Sequence, residues 1–141
     1  MKVGWQNNEA IAALAQTMAT HGRGRDAPVR STMALLGDRW STLILLVLAT
    51  GEWRHAELRR VLAHLSAEQA ISQRVLTLKL RTLERDGFVL RAASSDVPPR
   101  VSYRLSTLGQ ALHGQAAQLI GWIEGEAGTI TAARAGFDRQ G

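Results

Sequence analysis

The sequence predicts a mainly α-helical protein with one small β-hairpin, an α+β fold. Apolar residues recur at steps of three and four along most of the chain, which is the period of amphipathic helices. The pattern changes to alternation only in two short segments, 88–91 and 101–105, which flank a Pro98-Pro99 pair. We therefore expect two strands joined by a long, stiff tip, with helices before and after them.

The expected organisation is one domain with an N-terminal arm. A first helix at Trp5–Ala19 carries an apolar stripe, and the glycine- and arginine-rich segment after it is typical of a linker. From Gly125 onward glycine, alanine and threonine predominate, so we expect fraying. The expected parts are an N-terminal helical arm (1–20), a linker (21–27), a domain (28–124) and a frayed C-terminal tail (125–141).

The centre of the core is predicted at the third helix. Pro28 suits the first turn of the second helix, and Asp38 is a good N-cap for the third. This third helix is apolar around most of its circumference, so we expect it, with Trp40, at the centre of the core. A fourth helix at His55–Leu65 should bury Leu58, Leu62 and Leu65.

A capped basic helix at 72–86 is the segment that says most about function. Ser72 is its expected N-cap, with Ile71 and Leu76 as partners of a hydrophobic staple, and Gly87 should end it in left-handed geometry. The segment 66–69 also fits a capping box, and the two starts can coexist if residues 67–70 make a single helical turn; Ser72 is favoured as the start of the long helix. The expected buried stripe is Leu76, Leu80 and Leu83, and the opposite side carries Gln73, Arg74, Thr77 and Arg81.

Positive charge is concentrated on this helix and the hairpin. Residues 54–104 contain ten Arg or Lys and five Asp or Glu, whereas segments 1–53 and 105–141 carry net charges of +1 and −1. A helix can enter the DNA major groove, and a basic ribbon beside it can hold phosphates. The sequence therefore predicts a winged helix-turn-helix, and hence a gene regulator, with helix 72–86 in the major groove and wing 88–105 on the backbone or in the minor groove.

Each expected DNA contact follows from the chemistry of the side chain. Ser72 and the free N–H groups of the helix N-terminus can hold a phosphate, Gln73 is shaped for adenine and Arg74 for guanine. Thr77 can touch a thymine methyl group. Arg100 is the favoured wing contact, because two prolines before it limit the freedom of the tip. Phosphate or minor-groove contacts are expected from Arg81, Arg91, Arg100 and Arg104.

The last predicted helix, capped by Ser106, has an apolar face and little domain left to cover. Homodimerisation is the expected use of that face, and packing against the first helix within one chain is the alternative. The expected dimerisation residues are Leu108, Leu112, Leu119, Trp122 and Ile123.

Several classes of protein are disfavoured. The absence of cysteine excludes disulfides, thiolate nucleophiles and Cys-ligated zinc, and the four histidines lack metal-ligand spacing. Without a nucleophile elbow, a P-loop or a dinucleotide fingerprint, we expect no catalytic residue, no metal and no cofactor. The start of the chain does not resemble a secretory signal, and the longest apolar run, Leu43–Ala49, is too short to span a bilayer. We expect a cytoplasmic protein without a membrane partner.

Four segments, in this order, closely resemble the HxlR-type winged helix-turn-helix transcriptional regulators of bacteria: LGDRWSTLILLVL, ELRR, ISQRVLTLKLRTLERDGFVLR and VPPRVSYRLSTLGQAL. The resemblance covers about residues 28–124. It implies a homodimer that binds an inverted-repeat operator in double-stranded DNA and dimerises through its terminal helices. A repressor is the expected form, although no residue separates repression from activation. The alternative is a winged-helix module that binds only proteins, and the arginines on the reading face argue against it.

The chain departs from the family pattern in three places. Many members carry an oxidant- or electrophile-sensing cysteine just before the second helix, and its absence here excludes a thiol switch. Val61–Ala70 supplies more residues than the family usually has between its two DNA-binding helices. His55 stands where phenylalanine is usual and could make the fold pH-sensitive. A small-molecule effector stays open as a hypothesis, with its expected position near Trp40, Met33 or Trp122.

Overall fold

The computed structural model describes residues 4–66 and 70–141, which are mainly helical with one antiparallel sheet. The chain divides into two compact units, of which the first ends at Arg39 and the second begins at Trp40. The elements in chain order are a 3-10 turn (Gly4–Asn7), α1 (Glu9–His21), α2 (Pro28–Gly37), α3 (Arg39–Leu48), β1 (Trp53–Arg54), α4 (His55–Leu65), α5 (Gln73–Arg85), β2 (Val89–Ala93), β3 (Val101–Leu105) and α6 (Thr107–Gln140).

The first unit contains α1 and α2. The side chain of Asn8 caps α1 by accepting the N–H of Ile11 at 3.1 Å, so the α-helix begins after Asn8 and not at Trp5 as expected. α2 has Pro28 in its first turn, as predicted, because a missing N–H costs nothing there. No residue of α1 is buried, and α2 groups with α1, whereas the expected domain joined α2 to the residues after it.

The core of the second unit is built on α3, as predicted. Trp40, expected in the core, is only half-buried. Leu65, expected to face the core, is 54% exposed, because it lies in the last turn of α4, where the chain leaves the core. Burying one leucine or isoleucine side chain contributes about 1.5–3 kcal/mol, so the helices are held mainly by shared apolar residues. These are Ile44, Leu45, Val47 and Leu48 of α3, Leu58 and Leu62 of α4, and Leu76, Leu80 and Leu83 of α5.

The predicted hairpin belongs to a three-stranded antiparallel sheet in the order β1-β3-β2. Tyr103 at the centre of β3 lies opposite Arg91 on one side and Trp53 on the other. β1 was not predicted, because two residues are too few to show an alternating pattern. Side chains alternate along a strand, so Tyr103 and Arg91 lie on one face of the sheet, and Ser102 and Arg104 lie on the other.

The end of α5 turns sharply into the sheet. Gly87 has a φ of 84°, as predicted for the residue that ends the helix. The N–H groups of Gly87 and Phe88 donate to the carbonyls of Glu84 and Leu83 at 3.0 and 2.9 Å, the two bonds of a Schellman motif. These bonds satisfy two of the last carbonyls of α5 at this turn.

The start of α6 packs against that turn. Ser106 caps α6 by accepting the N–H of Gly109 at 3.0 Å, and its own N–H donates to the Phe88 carbonyl at 3.0 Å. Its hydroxyl donates to the Gly87 carbonyl. We call these four residues, Gly87, Phe88, Ser106 and Gly109, the helix–wing junction, because they join α5, the hairpin and α6.

α6 continues to Gln140, which differs from the expected frayed tail from Gly125. Between 125 and 140 the helix contains four alanines and no proline, and each added residue gains a backbone hydrogen bond, which offsets the cost of Gly125, Gly128 and Gly136 in a helix. A helix of 34 residues is about 50 Å long, and only Gly109 and Ala116 of it are buried. Most of its length therefore extends beyond the core of its own chain.

Among residues 4–66 and 70–141, no single helix combines the length and hydropathy of a membrane span, and α2 and α3 meet both criteria only when taken together.

Substituting Gly109 should destabilise the junction. A Cβ at this position would overlap the Phe88 carbonyl, so Gly109→Ala should lower the free energy of unfolding by about 3 kcal/mol. Gly114→Ala is the matched control, because a Cβ there meets no atom within 4 Å. It should raise stability by about 0.5–1 kcal/mol. Urea denaturation at one protein concentration measures both, and equal effects would contradict the close approach.

Candidate nucleic-acid interface

The start of α5 is fixed by the interactions expected from the sequence. The Ser72 hydroxyl accepts the N–H of Val75 at 3.0 Å, which confirms Ser72 as the N-cap. Ile71 is 2% exposed and Leu76 is fully buried, as a hydrophobic staple requires. The competing capping box falls on Ser66, which ends α4, and on 67–69, which lie outside the described residues. Of the long segment Val61–Ala70, the first five residues belong to α4, and 67–69 lie outside the described residues.

The exposed face of α5 carries a line of three residues that runs through Arg74, Leu78 and Arg81. Steps of four and three place them one above another, opposite the buried leucine stripe. Gln73, also exposed in the first turn, lies about 100° around the helix from this line, one turn before Thr77. Leu78 is 52% exposed, and the sequence analysis did not select it, although an apolar residue off the buried stripe was a signal. An apolar side chain there can contact a thymine methyl group.

Thr77 is placed differently from the other expected base contacts. It is half-buried, and its hydroxyl donates to the Gln73 carbonyl at 2.9 Å. The same oxygen lies 3.0 Å from Nε2 of His55. The hydroxyl therefore serves to tie α5 to α4, which leaves Leu78 better placed than Thr77 on the solvent face.

His55 connects three elements, α4, α5 and β3. It starts α4, its ring contacts Thr77 of α5, and its centroid lies 6.3 Å from that of Tyr103 on β3. Burial lowers the pKa of His55 below 6.5, and the positive charge of Arg59 lowers it further. The neutral imidazole is therefore the form that this position favours.

The backbone of the wing tip is closed by Ser94 and Arg100. Their main chains pair through the Ser94 N–H and the Arg100 carbonyl at 2.9 Å, and the Arg100 N–H donates to the Ser94 hydroxyl at 2.9 Å. Nε of Arg100 is 3.9 Å from the Asp96 carboxylate, and both side chains are more than 60% exposed. Such a surface ion pair contributes little, so the guanidinium can exchange Asp96 for a phosphate.

The arginines of the sheet are divided between its two faces. Arg91 lies on the face of Tyr103, which is turned toward α5, whereas Arg104 lies on the opposite face. A duplex along one face would therefore meet only one of them. Arg54 shares the face of Arg104 and lines, with Arg100, a hollow of about 290 Å³. Sequence analysis did not select Arg54, because it lies in the strand that went unpredicted.

The expected dimerisation residues form an apolar face on α6. Leu112 is half-buried, and the other four are exposed in the single chain. Phe137, which is 75% exposed, is eighteen residues after Leu119, about five helical turns, and so extends the same line. An exposed apolar face of this size marks an interaction surface.

The remaining expectations concern metals and effectors. Among residues 4–66 and 70–141, no three His, Asp or Glu side chains are grouped closely enough to hold a metal ion. Of the positions considered for an effector, Met33 lines a cavity of about 410 Å³ within the first unit. Trp122 is exposed on α6, and Trp40 is half-buried.

The fold, the capped basic helix and the adjoining wing together agree with comparisons to known proteins. A model of the HxlR-like helix-turn-helix family matches residues 35–130. The chain belongs to the HxlR-like helix-turn-helix family. It is 37% identical to the HTH-type transcriptional regulator YtcD of Bacillus subtilis over 94 residues, 67% of this chain and 70% of that protein. It is 37% identical over 97 residues to YtfH of Escherichia coli, a regulator of the same type, which covers 69% and 72%.

Solved structures extend the HxlR-like resemblance to the whole winged-helix fold. The redox regulator HypR in its reduced form matches with a TM-score of 0.64 and 33% identity, over 74% of this chain and 98% of that one. The reduced transcriptional regulator YodB of B. subtilis matches with a TM-score of 0.59 and 32% identity, over 69% and 90%. This chain, which has no cysteine, shares the fold without any thiol.

Acid should destabilise the protein through His55. Because the pKa of His55 is lowered on folding, the unfolded chain binds the proton more tightly, and stability should fall as the pH falls below about 6.5. His55→Gln should reduce that loss. The measurement is the free energy of unfolding from pH 7.5 downward. His64→Gln is the control, because His64 is an exposed histidine on the same helix. Equal pH dependence in wild type and His55→Gln would contradict the assignment.

Proposed function

We propose that this protein is a sequence-specific, DNA-binding transcriptional regulator that acts as a homodimer. The observation that carries the proposal is the exposed face of α5, where a capped N-terminus presents Gln73 and Arg74. Membership of the HxlR-like family, whose relatives are HTH-type transcriptional regulators, supports it.

The N-terminal part of α5 reads the bases. Its first N–H groups and the Ser72 hydroxyl lie where a phosphate can bind, since the helix dipole favours a negative charge there. Arg74 in the first turn then offers a planar pair of donors to guanine, and Gln73 pairs with adenine. Leu78, one turn further along, lies over the neighbouring base pair, and Arg81 contacts the phosphates beyond it.

The wing contributes affinity with little sequence preference. Arg100 at the tip and Arg91 on the face toward α5 contact phosphates or enter the minor groove. The two arginines on the opposite face of the sheet, Arg54 and Arg104, are less favourably oriented for a duplex that contacts α5. Of these, Arg54 can still meet the backbone where it adjoins Arg100.

The homodimer sets the spacing of the operator. Two copies related by a twofold axis through α6 present two reading helices, so an inverted repeat with half-sites about 10 bp apart, or a multiple, is expected. Repression follows when such a site overlaps a promoter. In a bacterium this places the protein in the cytoplasm, where the chromosome lies, and the proposal assigns no catalytic role to any residue.

Selection of bound duplexes from a random DNA pool tests the function directly. A recovered inverted repeat supports the proposal, and failure to bind any duplex at low salt would overturn it in favour of a module that binds proteins. Binding at low salt without a recovered consensus would show that the protein binds DNA without sequence preference, and would contradict that part of the proposal. The recovered duplex then serves as the operator in the titrations below.

Arg74→Ala and Arg100→Ala should separate base reading from phosphate contact. Arg74→Ala should weaken operator binding by about 1–3 kcal/mol and relax the preference at one base pair. Arg100→Ala should weaken operator and random duplex alike and reduce the salt slope by about one unit. Fluorescence anisotropy titrations across salt give both quantities.

Arg60→Ala is the control for these titrations, because Arg60 is exposed on α4 and lies off the reading face. It should leave the preference for operator over random duplex unchanged. If Arg74→Ala loses affinity equally on both duplexes, Arg74 is not a base reader.

Leu119→Glu should convert the dimer into a monomer of 15.3 kDa, because it puts a charge into the apolar face of α6. Gln118→Glu adds the same charge beside that face and should leave the dimer intact. Analytical ultracentrifugation distinguishes the two species. A wild-type protein that sediments as a monomer at micromolar concentration would contradict the interface.

A further inference from the structure

A cavity of about 550 Å³ lies within the second unit at the end of the sheet where β3 leads into α6. Its walls are the turn from α3 into β1, the end of β3 and the first turns of α6. Buried Leu48 and Leu105 supply an apolar floor. The polar lining residues are Thr50, Glu52, Arg104, Gln110 and His113.

Two opposite charges line this cavity without pairing with each other. The carboxylate of Glu52 accepts the Ser102 hydroxyl at 2.8 Å, which orients it on the same face of the sheet as Arg104. Among the described residues, the guanidinium of Arg104 has no hydrogen-bond or ion-pair partner. A guanidinium and an oriented carboxylate in one cavity are complementary to a ligand that carries both charges.

We propose that this cavity binds a free L-α-amino acid. Its carboxylate pairs with Arg104, since a guanidinium fork matches a carboxylate in bidentate geometry. Its ammonium group pairs with Glu52, and its side chain lies over the apolar floor. Gln110 and His113 of α6 offer further polar contacts at the rim, so the ligand bridges β3 and α6.

Because the ligand contacts both β3 and α6, its binding can change the affinity for DNA. This consequence rests on the proposed function. β3 carries the wing, and α6 carries the proposed dimer interface, so a ligand that contacts both favours one arrangement of the two. The ligand should therefore change operator affinity by about 5- to 100-fold, and operator DNA should change ligand affinity by the same factor.

The binding test uses the full chain without DNA. The twenty standard amino acids are titrated to about 10 mM, and the backbone amide resonances of 50–52, 104, 110 and 113 are followed by NMR. At least one amino acid should shift these resonances saturably. For the tightest binder, the matched amine without the carboxylate and the matched acid without the amine should each bind at least tenfold more weakly. No saturable shift with any amino acid, or equal binding of either analogue, overturns the proposal.

Variants of Arg104 and Glu52 test whether these two side chains bind the charged groups of the ligand. Arg104→Gln and Glu52→Gln should each weaken binding of that amino acid about tenfold or more, and a glutamine at 52 still accepts the Ser102 hydroxyl. Arg60→Gln and Glu57→Gln remove the same charges from exposed positions on α4 outside the cavity and should leave binding unchanged. If the cavity variants bind as tightly as these controls, the ligand lies elsewhere and the assignment is wrong.

The operator titration is a separate measurement. Ligand binding without any DNA affinity would overturn the proposed function and leave the amino-acid site standing. DNA binding without ligand binding would do the reverse. If the protein binds both the amino acid and DNA but neither changes the affinity for the other, only the proposed regulation is overturned.

Discussion

The hydrogen bonds of the helix–wing junction fix α5, the hairpin and α6 relative to one another. Gly87 turns the chain in the left-handed region, and the Phe88 carbonyl accepts the N–H of Ser106. Gly109 brings the first turn of α6 against that carbonyl, where a side chain has no space. In the proposed dimer, the arrangement of α6 therefore sets the positions of the two copies of α5, because the junction holds α5 and α6 close together.

The proposed DNA-binding surface and the proposed ligand cavity use different charged residues of the second unit. Arg74 and Arg81 lie on the solvent face of α5, where they need no partner in the folded chain because water solvates them. Arg104 has an equally exposed charge but lies on the far face of the sheet, beside a carboxylate and an apolar floor. The register of one short strand thus separates a surface suited to DNA from a cavity suited to a small zwitterion.

The HxlR-like fold is retained here without the chemistry that the names of some relatives describe. HypR is a redox regulator, whereas this chain has no cysteine to oxidise. His55 is held by a polar contact with Thr77 of α5 and lies beside the ring of Tyr103. Because burial lowers the pKa of His55, we expect these contacts to make the fold sensitive to acid.

The sequence by itself determined the features that depend on residues a few positions apart. The cap at Ser72, the left-handed Gly87, the leucine stripe of α5 and the strand β3 all follow from local geometry and periodicity. The exposed line through Arg74 and Arg81 followed with them, because a helix that buries one face must expose the other.

Only the tertiary structure decided what depends on contacts between distant segments. It paired β1 with β3, left Leu65 outside the core, turned the Thr77 hydroxyl toward His55 and put Arg104 on the far face of the sheet. It also required a glycine at position 109, for which the helical pattern offered no signal. The spacing of residues along the chain shows which face of a helix or strand is apolar. Whether another element covers that face, and which one, is decided only when the elements pack together.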